Sequence, residues 1–572
     1  MTTHRNGSLM RVAVTQFAST QDVDANLATC LRMIQEAAGV EPDLIVLPEF
    51  CNHLSVYDSE EHCRNVALDL DGPWLGAIAD ASRQHGAMIV LAVTLRHPDG
   101  RVTISNVMIH PEQGIVETAD KQVLMGNERT YLTPGTTESP IIDSAFGPLA
   151  MYSCMEGVVF EPPMSLALRG ARLLTNSLNS FGLDEASLHI PVRAVENRVF
   201  IAAANKVGPL IPEDRVQGFA EAMGIPTEML DGAGESQIVA PDGTVLAMAP
   251  RTGEAVMFAD LDLSEADSKQ SAAGVDVYAT RRPELYGPLT NFSDDRPPPE
   301  LTTSVEAIAI NEGTTDSILG LLAAESDTPR LVVLPERFGS QYDPSENPSA
   351  AVAEDADTMA RLVSALSSSP GTIVVTSAVT RHEDGLAHTG VVMTSEGAVA
   401  TQHQMHYSPR TPWATHLGQG IVTVDLEAAR LALVVGDDIL HPESFRLSAI
   451  DGASVVCCPT STRDEWMMAL GFAERAAENR VNVIAASDVS PGLGSVIAAL
   501  PPDFTLWLPD RSRPFDGTIN MPDVETAASH GLVTFELFPG RATNRFVSAG
   551  TDLVGGRPVQ GAGTSVANVG AD

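Results

Sequence analysis

Three residues in the first half of the chain have the types needed for acyl transfer through a thioester. They are Glu49 in "LIVLPEF", Lys121 in "DKQVLMGNERTYLTPG" and Cys154 in "MYSCMEGVVFEP". A thiol attacks a carbonyl carbon, a carboxylate takes the thiol proton, and an ammonium offsets the charge developing on the oxygen. Each residue also has an ordinary reading. A lone cysteine is commonly a small core residue, a glutamate can merely end a strand, and a lysine is commonly solvated. The chemistry rests on the set of three. Lys121 is also one of only three lysines, with Lys206 and Lys269, in a chain whose other basic residues are arginines.

The elements around these residues must hold them rigidly. Short β-rich apolar runs, "LIVLPEF", "AMIVLAVTL", "LAMYSC" and "VFIAAAN", alternate with helical patterns such as "NLATCLRMIQEAAG". Such alternation implies an α/β layered domain. Glu49, Lys121 and Cys154 read as strand-end positions. Cys154 closes "GPLAMYSC" and precedes "MEGVVFEPPMSLALRGA", which predicts a strand-to-helix turn. Backbone N–H groups at the start of a helix favour negative charge, so the thiol is expected to have a lowered pKa.

These segments resemble those of the nitrilase superfamily, the carbon–nitrogen hydrolases with a Glu-Lys-Cys triad. The matching stretches are "LIVLPEF", "DKQVLMGNERTYLTPG", "MYSCMEGVVFEP", "RAVENRVFIAAANKVG" and "QIVAPDGTVLA", in family order over most of residues 10–265. The resemblance implies an αββα sandwich, a cysteine nucleophile, and no metal or organic cofactor. It implies Glu49 as general base, Lys121 as oxyanion-stabilising lysine and Cys154 as nucleophile. Glu128 matches a second carboxylate that orients substrate, and the backbone N–H of Met155 would complete the oxyanion site. Two positions depart from the usual pattern: Met155 stands where an aromatic residue is frequent, and "FEP" replaces a Phe-Pro-Glu order. "RAVEN" suits the amidase and carbamoylase branches, so the expected reaction is hydrolysis of a small amide, releasing ammonia or an amine. An N-carbamoyl amidase or nitrilase with the same triad is the alternative. A non-catalytic scaffold or ligand-binding tandem protein is the alternative from another class.

The chain then repeats itself. "RVAVTQF" followed by "PDLIVLPEF" has its counterpart in "VEAIAI" followed by "PRLVVLPERF". "RAVENRV" returns as "RAAENRV", so that Arg193, Glu196 and Asn197 plus 282 give Arg475, Glu478 and Asn479. The same offset sets His403 against Lys121, Gly436 against Cys154 and Arg410 against Glu128, while Glu336 in "VVLPERF" matches Glu49. Without a nucleophile no acyl-enzyme can form, so the second repeat reads as degenerate. Asp437 or Asp438 as a new nucleophile, and a metal site of Glu336, His403 and Asp437, are weaker readings; no metal is expected.

The 572 residues are too many for one ordinary domain. Two tandem sandwiches are expected: 1–270 active, 271–300 a linker marked by Pro297, Pro298 and Pro299, and 301–545 degenerate. Residues 546–572, rich in Gly and small residues, are expected as a flexible C-terminal tail. The net charge of -39 argues against nucleic acid and anionic membranes as partners. No transmembrane stretch or signal-peptide core is read, and the six cysteines lack disulfide or metal spacing, so a cytoplasmic setting is expected. The repeats are expected to pack as an intramolecular pseudo-dimer through the helices after Cys154 and Gly436, with further homo-oligomers open.

Overall fold

The computed structural model describes residues 9–488, 494–506, 511–527 and 531–567. The start of the chain and residues 568–572 of the expected tail lie outside the described residues. The chain divides into two compact units, one of Met1–Ser268, Thr505–Asn520 and Phe546–Asp572, the other of Lys269–Phe504 and Met521–Arg545.

In the first unit a six-stranded sheet runs Ala255–Leu261, Met10–Gln16, Leu44–Val46, Met88–Arg96, Val102–His110, Gly114–Asp120. A five-stranded sheet runs Val245–Met248, Gln237–Val239, Phe200–Ala204, Leu173–Ser177, Leu149–Ser153. The pleat sends alternate side chains to opposite faces. Val12, Val14, Leu44, Val46 and Val90 of the first sheet therefore meet Met151, Leu173, Phe200, Ala202 and Ile238 of the second in one buried core. The other face of the first sheet buries Ala13, Ile45, Ile89 and Leu91 under the helices Val23–Ala37 and Pro73–His85. Full burial of each Val, Leu, Ile, Phe or Met among them contributes roughly 1.5–3 kcal/mol. Helices Glu161–Leu168 and Ile190–Asn197 pack on the five-stranded sheet. The result is the αββα sandwich that the resemblance implies.

The second unit repeats the plan with two six-stranded sheets. Ala307, Leu331, Val333 and Val375 face Leu431, Leu433, Val455 and Ile484 across its core. Helices Thr315–Ala323 and Pro348–Leu366 cover one sheet and Pro442–Ile450 and Phe472–Asn479 the other. Cys457 and Cys458 lie buried in the strand Val455–Thr460.

Two expected boundaries differ. Residues 271–300 are not a free linker but part of the second unit: Tyr286 is fully buried, Arg281 pairs with Glu443 at 2.6 Å, and Arg282 donates to the carbonyls of Met405 and Gly418. Residues 546–567 are not a loose tail. They form the strands Phe546–Ser548 and Thr551–Asp552 and the helix Val559–Val566, which packs on Glu161–Leu168. Small residues allow this close fit, since a Cβ on Gly561 would sit 2.9 Å from the Glu161 carbonyl oxygen. Residues 511–520 also return to the first unit: the buried Asp184 carboxylate accepts the N–H of Ile519 at 3.0 Å and that of Asn520.

Candidate active site

Glu49 follows the strand Leu44–Val46, and its N–H donates to the Leu178 carbonyl at 3.0 Å, which ties one sheet's end to the other. Phe50 takes a positive φ of 53° and turns the chain away. Lys121 follows the strand Gly114–Asp120, its N–H donating to the Ile104 carbonyl at 2.9 Å. Cys154 follows Leu149–Ser153 and opens a short 3-10 turn, Cys154–Gly157. Its φ is 49°, in the left-handed region that costs an L-residue roughly 1–2 kcal/mol. Glu156 holds this turn, one carboxylate oxygen accepting the Ser153 N–H and the other the Gln122 N–H, both at 2.8 Å. The same carboxylate thus joins the cysteine turn to the lysine loop. Arg193, fully buried, donates to the carbonyls of Gly157 and Val158 and pairs with Glu196 at 2.6 Å.

The three expected residues come together. Lys121 Nζ lies 2.8 Å from Glu49 Oε1 and 3.1 Å from both carboxylate oxygens of Glu128. Glu128 is itself oriented by accepting the Met125 N–H at 2.9 Å. Glu49 Oε2 is buried and has no hydrogen-bond partner among the described residues. Cys154 senses the charges of Glu49, Lys121, Glu185 and Glu128, and its own N–H donates to Asn176 Oδ1 at 2.8 Å.

Burial sets the protonation states. It raises the Glu49 carboxyl to about 7, with Lys121 pulling down and Glu128 pushing up. The Lys121 ammonium is penalised by burial, but Glu128 and Glu49 outweigh that and hold its pKa well above the ordinary value. The Cys154 thiol is raised well above its ordinary value by burial and then by Glu49, against the pull of Lys121. The expected lowered thiol pKa is therefore incorrect: the thiol is out of water and faces carboxylates, and this outweighs the helix-start N–H groups. The resting group is a neutral thiol beside a carboxylate of nearly neutral pKa.

Two contributing residues escaped the sequence reading. Lys206 is fully buried, donates to the Phe50 carbonyl at 3.0 Å, and is brought by burial to about 8. It pins the residue next to Glu49, and its rarity among the basic residues was the available signal. Asn176 fixes the Cys154 backbone, and nothing in the sequence marks it.

A cavity of about 120 Å³ opens beside Glu128. Val56, Phe181, Ile211 and Phe219 supply apolar walls, and Leu506 and Ser548 come from segments that follow the second repeat. The Thr551 hydroxyl donates to the Leu124 carbonyl at 3.0 Å and accepts the Gly126 N–H at 3.2 Å, bracing the loop that carries Glu128.

In the second unit the same positions hold different groups. The Glu336 N–H donates to the Thr460 carbonyl as that of Glu49 does to Leu178, so these two positions correspond. Gly436 keeps the left-handed backbone, φ 57°, at the place of Cys154. Asp438 accepts the N–H groups of Met405 and His406 at 2.7 and 2.8 Å, as Glu156 accepts that of Gln122. This register corrects two expected counterparts. The Gln404 N–H donates to the His388 carbonyl at 2.8 Å, and the Gln404 carbonyl accepts the Gly418 N–H at 2.9 Å. Lys121 makes the equivalent pair with Ile104 and Gly135. Gln404, not His403, therefore stands for Lys121, and Thr411, not Arg410, stands for Glu128. The reason is a one-residue deletion between Gly418 and Gly436 relative to Gly135 and Cys154, which hides the shift from a fixed offset. The Arg410 side chain still enters the site, pairing with Asp437 at 2.8 Å and Glu336 at 3.2 Å.

The carbon–nitrogen hydrolase family model matches residues 11–270 and 299–502. Among similar proteins, a nitrilase of Pyrococcus abyssi is 26% identical over 264 residues, covering 46% of this chain and 93% of its own length. An N-carbamoylputrescine amidase of Solanum tuberosum is 25% identical, covering 50% and 97%. An (R)-stereoselective amidase of a Pseudomonas species is 29% identical, covering 50% and 97%. Among solved structures, a C145A mutant of the Nesterenkonia AN1 amidase aligns with a TM-score of 0.39 at 21% identity, covering 46% and 94%.

Proposed function

The chain belongs to the carbon–nitrogen hydrolase family, and from that premise we propose that its first unit hydrolyses small amides through a thioester on Cys154. The observation that carries this reading is the buried Glu49–Lys121–Glu128 ion cluster facing the strained cysteine turn.

The steps follow from the protonation states. Glu49 Oε2, the oxygen without a partner, takes the Cys154 proton as sulfur attacks the amide carbon. The oxyanion that forms is met by the Lys121 ammonium and by the Met155 N–H at the start of the 3-10 turn. Glu49, now protonated, gives its proton to the departing nitrogen, and ammonia or an amine leaves. Water enters, loses a proton to Glu49 and attacks the thioester. Collapse of that second tetrahedral species releases the carboxylic acid and the sulfur, which regains its proton from Glu49. Lys121 stays charged because the neighbouring carboxylates, Glu128 first, hold its pKa well above the ordinary value. Glu128 anchors the lysine and keeps its position when Glu49 becomes neutral.

The cavity supports an uncharged substrate. Its walls are largely apolar, its other polar groups include Asn179 and Ser55, and among the described residues Glu128 is the only charged one lining it. A carboxylate-bearing carbamoyl amino acid would lie against that acid, whose charge is already met by Lys121, which favours neutral aliphatic or aromatic amides. A reducing, cytoplasmic setting suits a thiol nucleophile. The second unit serves as a domain without turnover, and any larger assembly of the chain is to be read by light scattering.

The test is ammonia release from a panel of neutral amides, carbamoyl amino acids and nitriles. Turnover of neutral amides at least tenfold above the other classes is expected. Preference for carbamoyl acids or nitriles would overturn the substrate assignment, and inactivity toward every class would overturn the reaction.

A further inference from the structure

We propose that His382, His403 and His416 form a binding site in the second unit for one divalent transition-metal ion of the zinc class. Each offers one ring nitrogen, and these nitrogens lie within 4.8 Å of one another. Zinc–imidazole bonds of about 2.0–2.1 Å at tetrahedral angles place ligand nitrogens roughly 3.4 Å apart. A bound ion requires these nitrogens to draw about an ångström closer, and all three rings are half-buried.

The surroundings orient the rings as metal sites do. His416 Nδ1 lies 2.9 and 3.1 Å from the Asp384 carboxylate oxygens, an arrangement that leaves Nε2 as the lone-pair nitrogen. His403 Nδ1 and the Thr389 hydroxyl hydrogen-bond at 2.9 Å. His382 is held loosely, its Nε2 3.4 Å from the Thr380 hydroxyl, which in turn bonds Thr389 at 2.6 Å. The His382 and His416 rings stack with centroids 4.1 Å apart, and His403 meets them edge-on at 4.7 and 5.2 Å. Neutral imidazole is the form that binds metal.

The site is particular to the second repeat. His403 occupies the place of Asp120, which instead bonds the Ser105 hydroxyl at 2.6 Å in the first unit. Successive strand residues face opposite ways, so His403 points away from the face to which Gln404 contributes. A bound ion would tie the end of strand Thr372–His382, the end of strand Gly397–His403 and the loop at His416.

The test uses the full chain, stripped with chelator and titrated with zinc chloride against a chromophoric competitor, with cobalt(II) absorption and thermal melting read alongside. One ion per chain is expected, with micromolar or tighter affinity, tetrahedral cobalt bands and a higher melting temperature. His416→Gln should weaken binding at least 100-fold and Asp384→Asn about 10–100-fold, while Cys154→Ala should bind as the unchanged protein does. His416 lies on a half-exposed loop, and circular dichroism of its variant verifies folding. Equal affinity in the unchanged protein and the folded His416→Gln variant would overturn the proposal, as would loss of the tight ion in Cys154→Ala.

Discussion

The two units share a scaffold and differ in the side chains at the site, and the difference separates what the sandwich needs from what the reaction needs. Both keep a glutamate after the central strand, Glu49 and Glu336, each followed by a residue at positive φ, Phe50 and Arg337. Both keep the Arg–Glu pair and the asparagine that accompanies it: Asn197 Nδ2 donates to the Arg193 carbonyl at 2.9 Å and Asn479 Nδ2 to that of Arg475 at 3.0 Å. Both keep the left-handed backbone at Cys154 and Gly436 and an acid two residues later. Apart from the glutamate itself, the features held in common are architectural. Cys154, Lys121 and Glu128 become Gly436, Gln404 and Thr411, and Asn127 becomes Arg410, whose guanidinium pairs with the retained Glu336 and with Asp437, which stands at the place of Met155.

The comparison can be broken in several ways. The largest effect is expected from Cys154→Ala, which should lose at least 10⁴-fold in turnover while its melting temperature holds within a few degrees. A variant retaining a tenth of the activity would remove the cysteine from the reaction. Lys121→Ala should lose ~10²-fold or more in kcat as an oxyanion donor goes; unchanged kcat would assign the lysine to structure alone.

The pH profile sharpens the role of Glu49. A base raised to about 7 must be ionised to accept the thiol proton. kcat/KM should therefore fall about tenfold per unit as pH drops below 7. Glu128→Gln removes one of the charges that push Glu49 up, so its acid limb should move to lower pH. A limb that stays flat down to pH 5 in the unchanged protein would contradict this assignment.

The smallest effects on turnover are expected in the second unit. Gly436→Cys should restore nothing there, because a Cβ at that place would lie 3.1 Å from both Gln404 Oε1 and His388 Cε1, in a site without the lysine. Arg410→Ala should leave amide hydrolysis within twofold but destabilise the second unit by roughly 3–5 kcal/mol, since Asp437 and Glu336 lose their buried partner. A large loss of turnover in a folded Arg410→Ala protein would show a catalytic role in the second unit.

Much of this was legible in the sequence because the relevant signals are local. Apolar runs ending in Pro-Glu, and "MYSC" before a helical pattern, locate the strand ends that carry Glu49 and Cys154. Two kinds of feature were hidden. The first is register: a one-residue deletion made a constant offset name His403 and Arg410, whereas the strand hydrogen bonds select Gln404 and Thr411. One residue of slip in a strand exchanges the faces, which is why His403 turns up among histidines and not in the former active site. The second is return of the chain from afar. Leu506, Ser548 and Thr551 follow the second repeat yet complete the first unit's cavity and brace its loop, and small residues that look like a loose tail are small because a helix must lie close. Truncation after the first repeat would remove them, so tests of the first unit belong in the full chain. The thiol pKa was misjudged because burial is a property of the fold that no motif displays.

The central claim is one live nucleophile in a chain with two sandwich sites. Its most direct test is intact-mass and peptide mass spectrometry of the full chain quenched during turnover of a slow amide substrate. The account predicts a single acyl adduct per chain, on the peptide bearing Cys154, absent from Cys154→Ala. A second adduct on the peptide bearing Gly436, Asp437 and Asp438, or an adduct that persists in Cys154→Ala, would contradict it.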